Sequence, residues 1–353
     1  MKTSKILIDL DRLKNPWNGL GQFALKFGTE LAKKTYQDLK FTFLVPPKYV
    51  GYFGNHVDYE ITNWKRRYFP YFLPHYDLWH AIHQDSNFFP VNKRTRYMLT
   101  IHDLNFLKEK NQWKAKNRLT RLQKKVNKSC WITTISEFSK NEILEKLKFN
   151  VPISVIYNGI DVESPISFNQ TSINLKKYLL GLGVILPKKN WKVLIEMMKF
   201  LPDDFTLKLA GDKQTEYALH LQKLIHQNQL ENKIELLGRI TESEKYFLLK
   251  DCYAFVFPSK YEGMGMPPIE AMRFGKPVFV FPNTSIPEFC KNFAFYWESE
   301  ESQYMANYII EKTKFFYSHP QFAESVIEHS KQFQWELTAE QYLNLYRKIL
   351  SQF

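Results

Sequence analysis

The stretch "YAFVFPSKYEGMGMPPIEAMRFGKPVFVF" (253–281) decides how the whole chain is read. "YAFVFPS" is a short apolar run and reads as a buried strand, and "KPVFVF" reads as a second. Between them come Gly263 and Gly265, then Pro267 and Pro268, then a short run closed by Gly275. Proline suits the first turn of a helix, where its missing N–H had no partner, and glycine suits the position just past the last turn. Strand, loop, helix and strand in this order form the unit of a parallel α/β sheet. Ligands of such sheets bind beyond the carboxyl ends of the strands, where this loop lies. Gly263 and Gly265 let backbone amides approach a ligand, and the helix start favours phosphate oxygens. Two carboxylates, Glu262 and Glu270, flank that site, with Glu270 expected in the first turn of the helix. A carboxylate there repels phosphate, so it must accept from other donors. Adjacent sugar hydroxyls fit.

Outward from this segment the same alternation recurs. "ILIDL" (6–10), "FTFLVP" (41–46), "YDLWHAIH" (76–83), "RYMLTIHDL" (96–104) and "ISVIYNGID" (153–161) read as strands, and "WITTISEFSKNEILEKL" (131–147) as a strand running into a helix. A helix is expected from Gln22, carried by Phe23, Phe27 and Leu31, and another after Ser136 or Ser139. Residues 162–174, "VESPISFNQTSIN", have no period and many turn formers, which marks a domain boundary. Strand–helix alternation then resumes from "KYLLGLGVI". The fold class expected is α/β, with two doubly wound Rossmann-like domains facing each other across a deep cleft. Their expected limits are 1–163 and 164–332, with 333–353 a terminal helix that crosses back to the first domain.

The 353 residues exceed one ordinary core. Apolar content of 44% and charged content of 24% are those of a globular protein. Cys130, Cys252 and Cys290 match no metal spacing and are expected as packed thiols. "MKTSKILIDLD" is too short and too polar for a signal peptide, and no run approaches the roughly 18 apolar residues of a membrane span. A cytoplasmic location is expected. The net charge of +13 is concentrated: 27 Lys and Arg against 15 Asp and Glu in residues 1–165 leave +12 there, and 22 against 21 leave +1 in the rest. The excess points to an anionic partner of the first half. Residues 108–128, "KEKNQWKAKNRLTRLQKKVNK", form a basic amphipathic helix with Ala115, Leu119, Leu122 and Val126 on one face. With the basic and aromatic stretch 63–74, "NWKRRYFPYFLP", this suggests peripheral contact with an anionic membrane surface. The alternative is a helix whose apolar stripe packs on its own sheet.

"EGMGMPPIE" is similar to the E-x7-E motif of the retaining glycosyltransferases of family 4 (group 1), which have the GT-B fold, and the text looks bacterial and mannosyltransferase-like. The resemblance covers nearly the whole chain and is strongest over 178–288. It implies that Glu270 binds the ribose of a nucleotide, that Glu262 lies near the transferred sugar, and that Gly263, Met264, Gly265 and Met266 face that sugar. "GVILPKKNW" (183–191) resembles the family's basic segment, so Lys188 and Lys189 are implied to hold the donor diphosphate. Lysine stands at 188 where arginine is common, which replaces a bidentate fork by a point charge. "NGLGQF" (18–23) resembles the family's glycine loop, with Gly19 and Gly21 near phosphate, although a simple turn fits as well. In "IHDL" (101–104), His102 matches a histidine that contacts the donor sugar. Arg239 is added as a donor-binding candidate. Glu262, His102 and Lys189 are the catalytic candidates.

"DLD" (9–11) matches the D-x-D metal pattern of another fold, but Mg²⁺ needs octahedral oxygen ligation that nothing nearby supplies. No cofactor and no metal are expected. The function implied is transfer of a hexose, first GDP-mannose as donor, to a hydroxyl of a glycan or lipid-linked acceptor in surface polysaccharide or lipopolysaccharide synthesis. The alternatives are a sugar-nucleotide epimerase or hydrolase on the same donor site, a silent partner of another transferase, and a basic nucleic-acid-binding protein. Nucleic acid is not expected as a partner, because no recognised module is present.

Overall fold

The computed structural model describes residues 3–63, 74–160 and 177–352. The boundary expected at 162–174, and 64–73 of the basic aromatic stretch, lie outside the described residues. The chain divides into two compact units, Met1–Gly159 with Phe333–Phe353, and Ile160–Gln332.

The first unit holds β1 (Ser4–Asp9), β2 (Leu39–Val45), β3 (Asp58–Ile61), β4 (Leu78–Ala81), β5 (Arg96–Ile101), β6 (Trp131–Thr134) and β7 (Ile153–Val155). Their order in the sheet is β3-β2-β1-β4-β5-β6-β7, all parallel. Strands covered on both faces must be apolar throughout. Alternation then sorts residues between two layers. Ile6 and Ile8 join Phe23, Phe27, Trp335 and Tyr342 on one face, and Leu7 joins Trp79, Leu99 and Leu122 on the other. The helix Trp335–Ser351 belongs to this unit and buries Tyr342 and Tyr346 in it.

The second unit repeats the plan with β8 (Lys177–Leu182), β9 (Phe205–Ala210), β10 (Ile234–Gly238), β11 (Ala254–Phe257), β12 (Val278–Val280) and β13 (Phe295–Tyr296). The order is β10-β9-β8-β11-β12-β13, again all parallel. In this sheet, order reverses between β8 and β11, so the loops after those two strands become neighbours at a topological switch point.

Several boundaries differ from the sequence reading. The first helix starts at Gly19, not Gln22, because the Asn18 side chain accepts from the Gly21 N–H and caps it. Ser136, not Ser139, caps the helix Glu137–Lys146. The basic segment 108–128 is a short turn, Phe106–Glu109, followed by the helix Gln112–Val126. Its stripe packs on its own sheet: Leu122 and Val126 are fully buried and Leu119 lies against the same layer. The strands β3 and β13 are too short to show a period.

Candidate active site

The switch point of the second unit brings two distant motifs into one site. After β8 the chain makes a 3-10 turn, Pro187–Lys189, which Asn190 ends in the left-handed region at φ 55°. After β11 the loop is tied to that turn: Lys260 N–H donates to the Lys188 carbonyl at 2.8 Å. Lys189 Nζ then meets Glu262 Oε1 at 2.5 Å, and Ser259 Oγ donates to that same oxygen at 2.6 Å. Glu262 Oε2 accepts no hydrogen bond among the described residues. The two side chains are 9% and 14% exposed, so little water screens the pair. Lys189 Nζ also lies 4.5 Å from the Phe257 ring centroid, a cation–π contact.

The Glu262 loop is braced from the next loop. Its N–H donates to Thr284 Oγ1 and its carbonyl accepts from Ser285 Oγ, both at 3.1 Å, while Asn283 Nδ2 donates to the Ser259 carbonyl at 3.3 Å. Sequence reading missed these three residues. Their signal was the turn-forming cluster "PNTS" (282–285) after a strand.

Gly265 opens the helix Met266–Arg273 at φ 80°. A side chain there is strained by that backbone, and its Cβ would fall 2.4 Å from Ile286 Cδ1. Pro267 and Pro268 stand in the first turn and carry no N–H, and no side chain caps the start, so the Met266 N–H depends on solvent or a ligand. Met264 is buried beneath the loop. Glu270 corrects the sequence reading: with the helix beginning at Met266, it is the fifth helical residue and lies one turn in. There it is buried and accepts from Lys245 Nζ at 3.2 Å. Burial works against the Lys245 ammonium, yet Glu270 and Glu242 together hold its pKa well above the ordinary lysine value.

Arg239 follows β10, two strands from β8 at the edge of the sheet, and is mostly exposed. Its Nη2 donates to Asp212 Oδ2 at 2.7 Å. The structure does not group it with Lys189 and Glu262.

The remaining candidates lie in the first unit. Gly19 and Gly21 are within the first turn of the helix Gly19–Ala32. The Gly21 N–H is taken by Asn18, and a Cβ at 21 would fall 2.0 Å from the Asn15 carbonyl oxygen, so glycine there answers a close backbone approach. Gly19 has open space. His102 follows β5 and is buried, its ring edge against Phe23. Its Nε2 meets the Ile82 carbonyl at 2.9 Å, and a carbonyl can only accept, so the proton sits on Nε2. Burial pushes its pKa down to about 4, which leaves the ring neutral. Asp9, of the "DLD" pair, is buried and accepts from Ser86, and burial together with Asp11 raises its pKa to about 7. Among the described residues no cluster of three or more His, Cys, Asp or Glu could hold a metal ion. No described helix is long and apolar enough to cross a membrane.

Comparison with known proteins bears on the family and the fold. Residues 163–330 match the model of "Glycosyl transferases group 1", and residues 23–164 match that of "Glycosyltransferase Family 4". The chain is 24% identical to O-antigen chain mannosyltransferase B of Escherichia coli, over 97% of this chain and 99% of the other. It is 27% identical to O-antigen chain mannosyltransferase RfbU of Salmonella typhimurium, over 84% and 88%. The crystal structure of Anabaena HepE in complex with UDP and glucose superposes with a TM-score of 0.77, covering 98% of this chain and 100% of the other at 19% identity. The shared fold is GT-B. Two adjoining family models, each on one of the two Rossmann-like units, make the chain a member of the group 1 glycosyltransferases and therefore a glycosyltransferase.

Proposed function

We propose that the chain transfers a hexose, with retention of anomeric configuration, from a nucleoside diphosphate sugar to a hydroxyl of a growing surface glycan. The observation that carries this is the Lys189–Glu262 pair beside an uncapped helix start, with Glu270 one turn further on. Diphosphate oxygens would meet Lys188, Lys189 and the Met266 N–H at the helix start, which stabilise the charge that develops on the leaving group. No metal ion is invoked for that charge. Glu262 Oε2 stands ready to accept a sugar hydroxyl, and Glu270 to accept from a ribose. The names of the O-antigen mannosyltransferases support mannose, and GDP-mannose is the first donor to try.

Thermal unfolding with GDP, UDP, ADP and dTDP in turn tests the donor site. A nucleotide at a hundred times its dissociation constant adds roughly 2.7 kcal/mol of stability, a shift of a few degrees. One nucleotide should produce that shift in the native chain and not in Lys189→Ala. No shift with any of the four would remove the donor site. Retention is read separately, from the anomeric proton coupling of the product. EDTA should leave the rate unchanged.

A further inference from the structure

The first unit carries a cavity of about 830 Å³ between the helix Gln112–Val126 and the loop after β4. Among the described residues Asp85 is the one carboxylate on its lining, against eight lysines and arginines. That carboxylate is already committed, since Arg118 grips it with Nε and Nη2 and Arg12 approaches it at 3.9 Å. The floor is fixed by further contacts. The Arg118 guanidinium lies 4.4 Å from the Phe106 ring centroid. Lys125 Nζ donates at 2.6 Å to the carbonyls of both Gln84 and Ser86, and burial pulls its pKa down to about 8. Lys110, Lys114, Arg121 and Lys124 line the cavity without a carboxylate partner among the described residues. Some lysines elsewhere, such as Lys140, Lys199 and Lys331, are paired with a carboxylate three residues away. Unpaired cations around a concavity focus the field and concentrate anions there. A flat bilayer would reach the rim of such a cavity but not its floor.

We propose that this cavity, lined by residues of the first unit, is a binding site for a phosphate-bearing group, a phosphomonoester or diphosphate. That the group belongs to the acceptor rests on the transferase reading; the anion site itself does not. Its charge selects for compact phosphate oxygens, which Lys110, Lys114, Arg121 and Lys124 can surround while Arg118 stays on Asp85.

Trp113, on the lining and 72% exposed, provides a local reporter. The test titrates inorganic diphosphate into the full chain at low salt, following calorimetry and tryptophan fluorescence, with Trp113→Phe identifying the local signal. The double variant Arg121→Glu/Lys124→Glu alters two exposed, unpaired residues, so the fold should be kept. Its diphosphate affinity should fall at least about tenfold, while Lys189→Ala keeps the Trp113 signal. Vesicles containing phosphatidylglycerol form a second arm. Parallel loss of diphosphate and vesicle binding in the double variant supports the site and names a lipid headgroup as one source of the phosphate. Binding of diphosphate that Lys189→Ala abolishes and the double variant keeps overturns it. Vesicle binding with no diphosphate binding also overturns it. Absence of any nucleotide shift, with the Trp113 signal intact, would remove the proposed donor site and leave the cavity standing.

Discussion

Lys189 Nζ stands 2.5 Å from Glu262 Oε1 although the two residues are 73 positions apart in the chain. The parallel sheet order makes this pairing, because β8 and β11 lie side by side and their following loops must meet. Removing one partner of an ion pair so little exposed leaves the other uncompensated. Lys189→Met should therefore cost about 3 kcal/mol of stability, and at least a hundredfold in transfer, about 3 kcal/mol, for one lost stabiliser of developing charge. Glu262→Gln keeps the shape and an acceptor for Lys189, so it should lose activity with a smaller fall in Tm. Thermal unfolding and kcat/KM on the two variants check this. Native nucleotide affinity and rate in Lys189→Met would remove lysine from the diphosphate role.

Glu270 is expected to hold the ribose rather than the phosphates. Its partner Lys245 already sits at 3.2 Å, which keeps the carboxylate in place beside the helix start. Glu270→Ala should weaken the preferred nucleoside diphosphate by about tenfold or more. The discriminating comparison is the 2′-deoxy form of the same nucleotide. It should bind less tightly than the ribo form to the native chain and equally to Glu270→Ala. If the native chain does not distinguish the two, the ribose assignment falls for the 2′ hydroxyl.

Much of this was legible because strand and helix periods differ and because glycine and proline mark the turns. "YAFVF" and "KPVFVF" could only be buried strands, and the helix between them was bounded by Pro267 and Gly275. The position of Glu270 was misjudged by one turn, since the left-handed Gly265 that sets the helix start is a backbone property which the letters do not display. The partnership of Lys189 with Glu262 was not visible either. Each was a candidate alone, and only the strand order joins them. Thr284 and Ser285 brace Glu262 through backbone atoms, and such contacts leave no trace in residue type beyond a polar turn.

Gly183 is the residue through which β8 hands over to the Lys189 turn. Its φ of 148° is strained for any side chain, and an added Cβ would lie 3.1 Å from Lys189 Cε and 3.4 Å from Nζ. The lysine is flexible and can yield, so the burden should fall on function. Gly183→Ala should cost about 1–3 kcal/mol in backbone strain, and displace the ammonium from Glu262. We expect nucleotide affinity to fall about tenfold, with the Tm lowered by only a few degrees. Parallel titration and unfolding measurements decide it. Unchanged affinity would show that Lys189 keeps its place by another route.

His80 provides a test of how the terminal helix is held. Its Nδ1 meets Tyr346 OH and its Nε2 meets Thr100 Oγ1, both at 2.7 Å, in a fully buried setting. Burial, helped by nearby His102, holds its pKa down to about 3. Burial likewise lowers those of His102, to about 4, and of His83. Between these values and about 6.5 the unfolded chain takes up protons that the folded chain refuses, so stability falls as pH falls below 6.5. Each histidine contributes about 1.4 kcal/mol per pH unit. Asp9 has the opposite sign: its folded pKa, raised to about 7 by burial and Asp11, gives stability below the ordinary aspartate value that is lost as pH rises towards 7. Three histidines outweigh one aspartate, so acidification from pH 6.5 to 4.5 should destabilise the first unit. His80→Gln keeps a donor and an acceptor and removes one titration. The slope of unfolding free energy against pH, from urea melts at pH 7, 6 and 5, should flatten by about 1.4 kcal/mol per pH unit in that range. A slope identical to that of the native chain would mean that His80 is protonated alike in both states, and the buried Tyr346–His80–Thr100 chain would not hold as described.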